Sequence, residues 1–385
     1  MIARNLIARL ELLSDVHIGT GTELMRDLDW IAPGDRYVYF ADSDRLLEEV
    51  FRRAEAAGKE MREVANILAG STFSDLRTMG WLTPADFGEA HPLFRYRLAG
   101  SPATVAIREQ IKDVHGKPYL PGSSLKGALR TVLAVAAADE IQPDLGKLQS
   151  SRSWAAQPVE HDLFGADPNH DLLRALQVGD SQAIEPAHLR LRRAHIYPTA
   201  GQSYRGRSKG LDVDIEVLAK GTTLESPIHI PTELLQDRGT DFDGRRRQEL
   251  GRWEGQARWL ERLAFSARKN ARALLEDEVR YFQERRDVPE VHRFYLQAVD
   301  IFSKLERNQF LLVLGWGGGW HTKTLNRYLK RDPKVFDRLV SRYRLNPTGT
   351  HKPDAPFPKS RHLLRAQDQP GPPLGWVKVT LNVSP

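Results

Sequence analysis

Two passages, one in each half of the chain, run from an apolar stretch through a glycine turn into a helix. They restrict the fold more than anything else in the sequence. The first is Leu120-Pro-Gly-Ser-Ser-Leu-Lys-Gly-Ala-Leu-Arg130 and the second is Leu314-Gly-Trp-Gly-Gly-Gly-Trp-His-Thr-Lys-Thr324. Strands and helices mix around them without a regular βαβ period. That predicts an α+β chain of two domains with a helical insertion between them.

The remaining elements fit this reading. Residues 6–13 alternate apolar and polar as a half-buried strand does, and run into a glycine turn at 18–21. Short strands are expected at 36–40, 104–111, 176–178, 215–218, 223–230 and 310–314, with a closing strand at 376–383. Asp42 or Ser43 caps a helix through residue 56, and further helices are expected at 60–68, 124–138 and 322–329. The longest helical stretch is 233–286, with a second helix after Pro289. Residues 346–373 are Pro-rich and polar, which predicts a long ordered excursion or a flexible loop. The domain bounds that follow are 1–230 for an N-terminal domain with insertions, 231–307 for the helical insertion and 308–385 for the C-terminal part with the glycine-rich loop.

Composition narrows the chemistry. There are no cysteines, so disulfides, thiolate zinc sites and a cysteine nucleophile are excluded. The twelve His are scattered, so no metal and no cofactor is expected. No apolar run reaches the length of about eighteen residues that a membrane helix needs. The N-terminal residues lack the features of a secretory signal, so a cytoplasmic location is expected. The net charge of +6 matters only where it is clustered, and it clusters at 189–195, 204–209 and 245–247. The alternative for each cluster is a solvated face.

Three segments carry candidate chemistry. At Gly122-Ser-Ser-Leu-Lys126, a glycine turn opens a helix whose first N–H groups and dipole suit a phosphate. Ser123 and Ser124 add hydroxyl donors, Lys126 and Arg130 add charge, and the alternative is an ordinary capped helix. Ser123-x-x-Lys126 also matches the serine–lysine pair of penicillin-binding enzymes, without their accompanying motifs. In the 314–324 loop, Gly317, Lys323 and Thr324 have P-loop spacing, but Thr322 stands where the second glycine belongs. There Trp316 and Trp320 flank Gly317 and Gly318 beside His321 and Lys323, a pattern that stacks bases and holds phosphates unless the tryptophans pack inside. The third segment, Ser14-Asp-Val-His-Ile-Gly-Thr-Gly21, sets His17, Gly19 and Gly21 at the end of the first strand. His17 there serves as a general base for RNA cleavage, an RNA contact or a packing residue.

Together these segments resemble the RAMP superfamily of CRISPR-associated proteins. The resemblance rests on His-Ile-Gly-Thr-Gly21, Pro-Gly-Ser-Ser-Leu-Lys-Gly-Ala-Leu-Arg130, His161-Asp-Leu-Phe-Gly165 and Val178-Gly-Asp-Ser181. Within the superfamily, residues 314–324, Pro358-Lys-Ser-Arg361 and Leu374-Gly-Trp376 resemble the Csm-five branch of type III-A (Csm) effector complexes. The resemblance implies two ferredoxin-like, RRM-related domains. It implies a subunit that binds the CRISPR guide RNA, caps its 3′-end side, supports its maturation and takes part in antiviral RNA-guided interference. Its partners would be guide and target RNA and the other Csm subunits, especially the repeated Csm-three backbone subunit, with no membrane involved. Arg205, Lys209, Lys359 and Arg361 join the residues above as expected RNA contacts, and residues 197–212 are the expected loop between guide and target. Asp27 and Asp29 lie where the sister subunit carries its cutting aspartate, but the local pattern differs. No enzymatic activity is therefore expected. The alternatives are a metal-independent RNA-processing endoribonuclease using His17 and a nucleotide-binding enzyme using the 315–324 loop.

Overall fold

The computed structural model describes residues 4–88, 92–148, 151, 154–165, 167, 171–198, 212–231, 234, 257–285, 287–323, 325–345, 357–358, 360–366 and 369–383. Its strands are β1 (Arg4–Leu12), β2 (Gly19–Met25), β3 (Trp30–Ile31), β4 (Tyr37–Ala41), β5 (Phe94–Ala99), β6 (Ala106–Gln110) and β7 (Gln177–Val178), then β8 (Leu189–Pro198), β9 (Asp212–Leu218), β10 (Thr223–Ile230), β11 (Gln309–Val313), β12 (Ser360–Ala366), β13 (Gln369–Pro373) and β14 (Trp376–Val383). The α-helices are α1 (Ser43–Ala56), α2 (Met61–Leu68), α3 (Phe73–Thr78), α4 (Gly122–Ile141), α5 (Gln157–Phe164), α6 (Ala257–Glu261), α7 (Leu263–Gln283), α8 (Pro289–Ser303), α9 (Asn326–Leu329) and α10 (Pro333–Arg342).

A five-stranded sheet has the order β11-β14-β1-β10-β7, and a six-stranded sheet has the order β13-β12-β8-β9-β6-β2. In the first, β10 shows how alternation sets a face: Leu224, Ser226, Ile228 and Ile230 are buried while Thr223, Glu225 and Pro227 are exposed. On one side of this sheet, Leu125, Leu129, Val132 and Leu133 of α4 share a core with Leu10 of β1, Phe310 and Leu312 of β11 and Val377 and Val379 of β14. Each such leucine contributes about 2 kcal/mol by leaving water. On the other side, Leu311 and Trp376 join Leu275 and Phe282 of α7 and Val291 and Tyr295 of α8. The strands change face residue by residue, so one sheet serves two helical layers.

A small sheet, β3-β4-β5, lies between β2 and β6 in the chain and packs with α1 and α3 around its own core of Ile31, Tyr39, Val50 and Phe73. Asp42 caps α1 as expected, accepting the Arg45 N–H. No helix of the described residues is long and apolar enough to cross a membrane.

Several expectations need correction. Residues 360–366 and 369–373 are strands and not a loop: β12 and β13 pair antiparallel, and β12 pairs with β8. The basic run at 189–195 is β8, and two of its cations are neutralised by Arg192–Asp15 at 2.8 Å and Arg193–Asp214 at 3.1 Å. Strand pairing also joins residues far apart in the chain, since β14 pairs with β1 and β12 with β8. The described part of the long helical stretch is α6 and α7; residues 204–209 and 245–247 lie outside the described residues.

Candidate nucleic-acid interface

After β1 the chain crosses from one large sheet to the other. Val16 bridges Leu218, and His17 bridges Trp316, whose N–H donates to the His17 carbonyl at 2.8 Å. Gly315 permits that approach: its φ is +72°, and a Cβ there would stand 2.2 Å from the His17 oxygen. A cleft of about 460 Å³ opens here, lined among others by His17, Gly19, Gly21, Arg108, Gly315 and Trp316.

Trp316 is half-buried, and three groups surround its ring. The Arg108 guanidinium carbon lies 5.1 Å from the ring centroid, the His362 ring 4.6 Å away, and the His17 ring meets it edge-on at 6.1 Å. Burial, with Arg108 and Lys323 nearby, lowers the His362 pKa. The cleft thus combines an aromatic ring with backbone groups and the Arg108 cation, which pairs with the exposed Glu23 at 3.6 Å, and Glu109 also lies on its wall; a ring beside a cation is the composition that holds a stacked base and its phosphate.

His17 is buried, and its Nδ1 lies 2.7 Å from the Glu216 main-chain oxygen. A carbonyl only accepts, so Nδ1 carries the proton. Burial holds the imidazole down to about 4; the Glu216 bond opposes this, and Arg108 and Lys112 add to it. So weak a base contributes little to abstracting a hydroxyl proton. Below it, the fully buried Glu216 carboxylate accepts from the Tyr96 hydroxyl at 2.6 Å, the Gln110 N–H at 3.0 Å and the Lys112 ammonium at 2.5 Å.

The start of α4 is a separate place, sharing no described residue with that cleft. The Gly122 N–H donates to the Asp180 carboxylate at 2.7 Å, and a Cβ on Gly122 would meet the Val178 oxygen at 2.2 Å. The anion at this helix start is therefore the protein's own Asp180, from the 178–181 motif. Ser123 is exposed, and Ser124 and Lys126 are half-buried. Burial lowers the Lys126 pKa. Arg130 is committed to Asp171 at 2.9 Å and Glu160 at 3.0 Å, and lies over the Phe164 ring. The motifs at 120–130, 161–165 and 178–181 thus interlock around α4.

The rest of the glycine loop turns inward. Trp320 sits edge-on to Phe336 and Phe357 at 5.5 and 5.0 Å, in an aromatic cluster rather than on an open face. His321 is buried, and burial with Arg361, Lys330 and Arg327 nearby pushes it down to about 2. Gly317 packs on Leu374, and Gly318 on Thr322 and Val313. Lys323 is exposed. The next helix, α9, is a single turn, so the N-terminal dipole that a P-loop aims at phosphate has little length behind it. Arg361 is held by Glu278 at 2.9 Å and lies over the Tyr281 ring. Arg205, Lys209, Thr324, Lys359 and residues 199–211 of the expected insertion loop lie outside the described residues.

Of the two loop aspartates, one holds α3 and the other its own turn. Asp27, at φ 63°, accepts from Ser74, and Asp29 accepts the Met25 N–H at 2.7 Å. Among the described residues no group of three or more His, Asp or Glu could hold a metal ion. The sequence reading missed Arg108 and His362. Both sit on strands far in sequence from Trp316, and only the pairing of β12 with β8 and of β6 with β9 brings them together.

The model of the RAMP superfamily matches residues 9–321. Among curated relatives, the CRISPR system Cms protein Csm5 of Streptococcus thermophilus is 26% identical over 243 residues, covering 61% of this chain and 54% of that protein. The Csm5 of Methanocaldococcus jannaschii is 23% identical over 280 residues, covering 68% of this chain and 62% of that protein. The chain thus spans little more than half the length of these relatives. A chain of a Csm–crRNA–target RNA ternary complex from a type III-A CRISPR-Cas system superposes with a TM-score of 0.69 at 23% identity, over 99% of this chain and 100% of that one. The crystal structure of T. onnurineus Csm5 gives 0.61 at 23% identity, over 96% and 99%. These likenesses extend the shared fold over nearly the whole chain.

Proposed function

The chain belongs to the RAMP superfamily, and from that premise we propose that it is the Csm5-like, guide-RNA-binding subunit of a type III-A Csm effector complex. The observation that carries the reading is the cleft where Trp316, Arg108 and His17 converge. There a base stacks on Trp316 and its phosphate meets Arg108 and Lys323, while exposed Ser123 and half-buried Lys126 offer a second backbone contact. The two large sheets belong to two ferredoxin-like halves. The subunit works in the cytoplasm, caps the 3′-end side of the guide beside the Csm-three backbone and does not cut RNA. The low basicity of His17 and the internal hydrogen bonds of Asp27 and Asp29 support that last point.

The test uses the purified chain and labelled RNA carrying a CRISPR repeat, with and without magnesium. Binding without cleavage is expected; cleavage products would move the reading to an RNA-processing nuclease. Trp316→Ala is expected to cost about 1–3 kcal/mol of RNA affinity, the worth of one stacked base. Trp320→Ala is expected to lower the melting temperature and leave the affinity of the folded protein unchanged.

A further inference from the structure

His17 lines the cleft while only 2% of it is exposed, and the structure determines the character of its second ring nitrogen. Nδ1 spends its proton on the Glu216 carbonyl, so Nε2 holds an unshared electron pair. Among the described residues Nε2 has no hydrogen-bond partner. The ring is held in this orientation from two sides. The Trp316 ring meets its edge, and strand β9, which carries the accepting carbonyl, is anchored by the buried Glu216 carboxylate through Tyr96, Gln110 and Lys112.

Gly19 stands over that nitrogen. A Cβ at Gly19 would lie 2.9 Å from Nε2, so any other residue would cover it. The Gly19 backbone is in an ordinary region, and nothing in its conformation alone requires glycine. The close approach to His17 is what a side chain would disturb.

A neutral acceptor repels phosphate oxygens and pairs only with a donor. In the cleft, phosphates go to Arg108 and base faces to Trp316. The donor left for His17 on a ribonucleotide backbone is the 2′-hydroxyl, the group that distinguishes RNA from DNA. We propose that His17 Nε2 accepts a hydrogen bond from a ribose 2′-hydroxyl, and that His17, kept uncovered by Gly19, makes this cleft select RNA over DNA. The proposal rests on the RNA-binding reading above and adds the group recognised.

The full chain would be titrated with single-stranded RNA and with 2′-fluoro RNA of the same sequence, which keeps the sugar pucker but lacks the donor. Wild type is expected to prefer RNA by about fivefold, the factor for one neutral hydrogen bond. Gly19→Ala is expected to lower RNA affinity to that of the 2′-fluoro strand, so that the preference is lost. If Gly19→Ala does not fold, His17→Phe keeps a ring beside Trp316, removes both nitrogens and is expected to give the same loss of preference. Equal wild-type affinity for the two strands overturns the proposal. So does a variant that weakens both strands alike, which would point to a base donor or to simple obstruction. Failure to bind either strand overturns the RNA-binding reading itself, and the proposal with it.

Discussion

A buried imidazole stays neutral at a pH where an exposed one is charged, and His17 and His321 are among the buried histidines of the described residues. His17 is held at about 4 and His321 at about 2, each mainly by burial, against 6.5 when exposed. Below pH 6.5 the unfolded chain takes up protons that the folded chain refuses, so stability falls as pH falls. The loss runs from pH 6.5 down to about 4 for His17 and on to about 2 for His321. At pH 5 each histidine costs about 2 kcal/mol relative to neutral pH. The melting temperature is therefore expected to drop from pH 7 to pH 5, and the drop to be smaller in His321→Phe. Equal drops in the two proteins would mean that His321 is protonated inside the fold. At this scale the sequence shows His17 between the first strand and a glycine turn, a position near a sheet end. It could not place Trp320 or Arg361, whose partners Phe336, Phe357 and Glu278 are remote in sequence.

Among the elements, α4 is where two cations one turn apart differ in role. Lys126 is half-buried and has no salt-bridge partner among the described residues, whereas Arg130 joins Asp171 and Glu160. Lys126→Ala is expected to weaken RNA binding and reduce its salt slope by about one. Arg130→Ala is expected to cost about 2 kcal/mol of stability, since it leaves two half-buried carboxylates without their partner, and to leave the salt slope unchanged. Thermal melts and binding titrations at several salt concentrations check both. If the two variants behaved alike, the ion pair would not set Arg130 apart. The helix itself was plain in the sequence, because Leu125, Leu129 and Leu133 repeat at helical spacing behind a glycine turn. The β12–β13 pair was not, because β13 reads Gln-Pro-Gly-Pro-Pro, a composition that argues against a strand. It is tolerated at the sheet edge, where missing N–H groups cost no ladder bond.

At the scale of the whole molecule, the chain ends close on its beginning. β14 lies between β1 and β11, and β1 exchanges partners with β14 over Leu6–Leu12 and with β10 over Arg4–Glu11. A sequence read from left to right divides at composition changes, so it gave bounds at 230 and 307. Strand pairing joins residues far apart in the chain, because the alternation of Trp376–Val383 matches β1 however much chain lies between them. Removing residues 308–385 would take β11 and β14 from one large sheet and β12 and β13 from the other. It would uncover Leu10 and Leu12 on one face and Phe282 and Tyr295 on the other, which lose Val377, Val379 and Trp376 as neighbours. An opened central strand with exposed apolar faces aggregates rather than folds. A chain ending at residue 307 is therefore expected to be insoluble, or to lack a cooperative melt by circular dichroism, while the full chain melts cooperatively. A soluble 1–307 fragment with its own sharp transition would show that the N-terminal part completes its sheet without β14, and that the C-terminal strands are an addition to a fold that already stands.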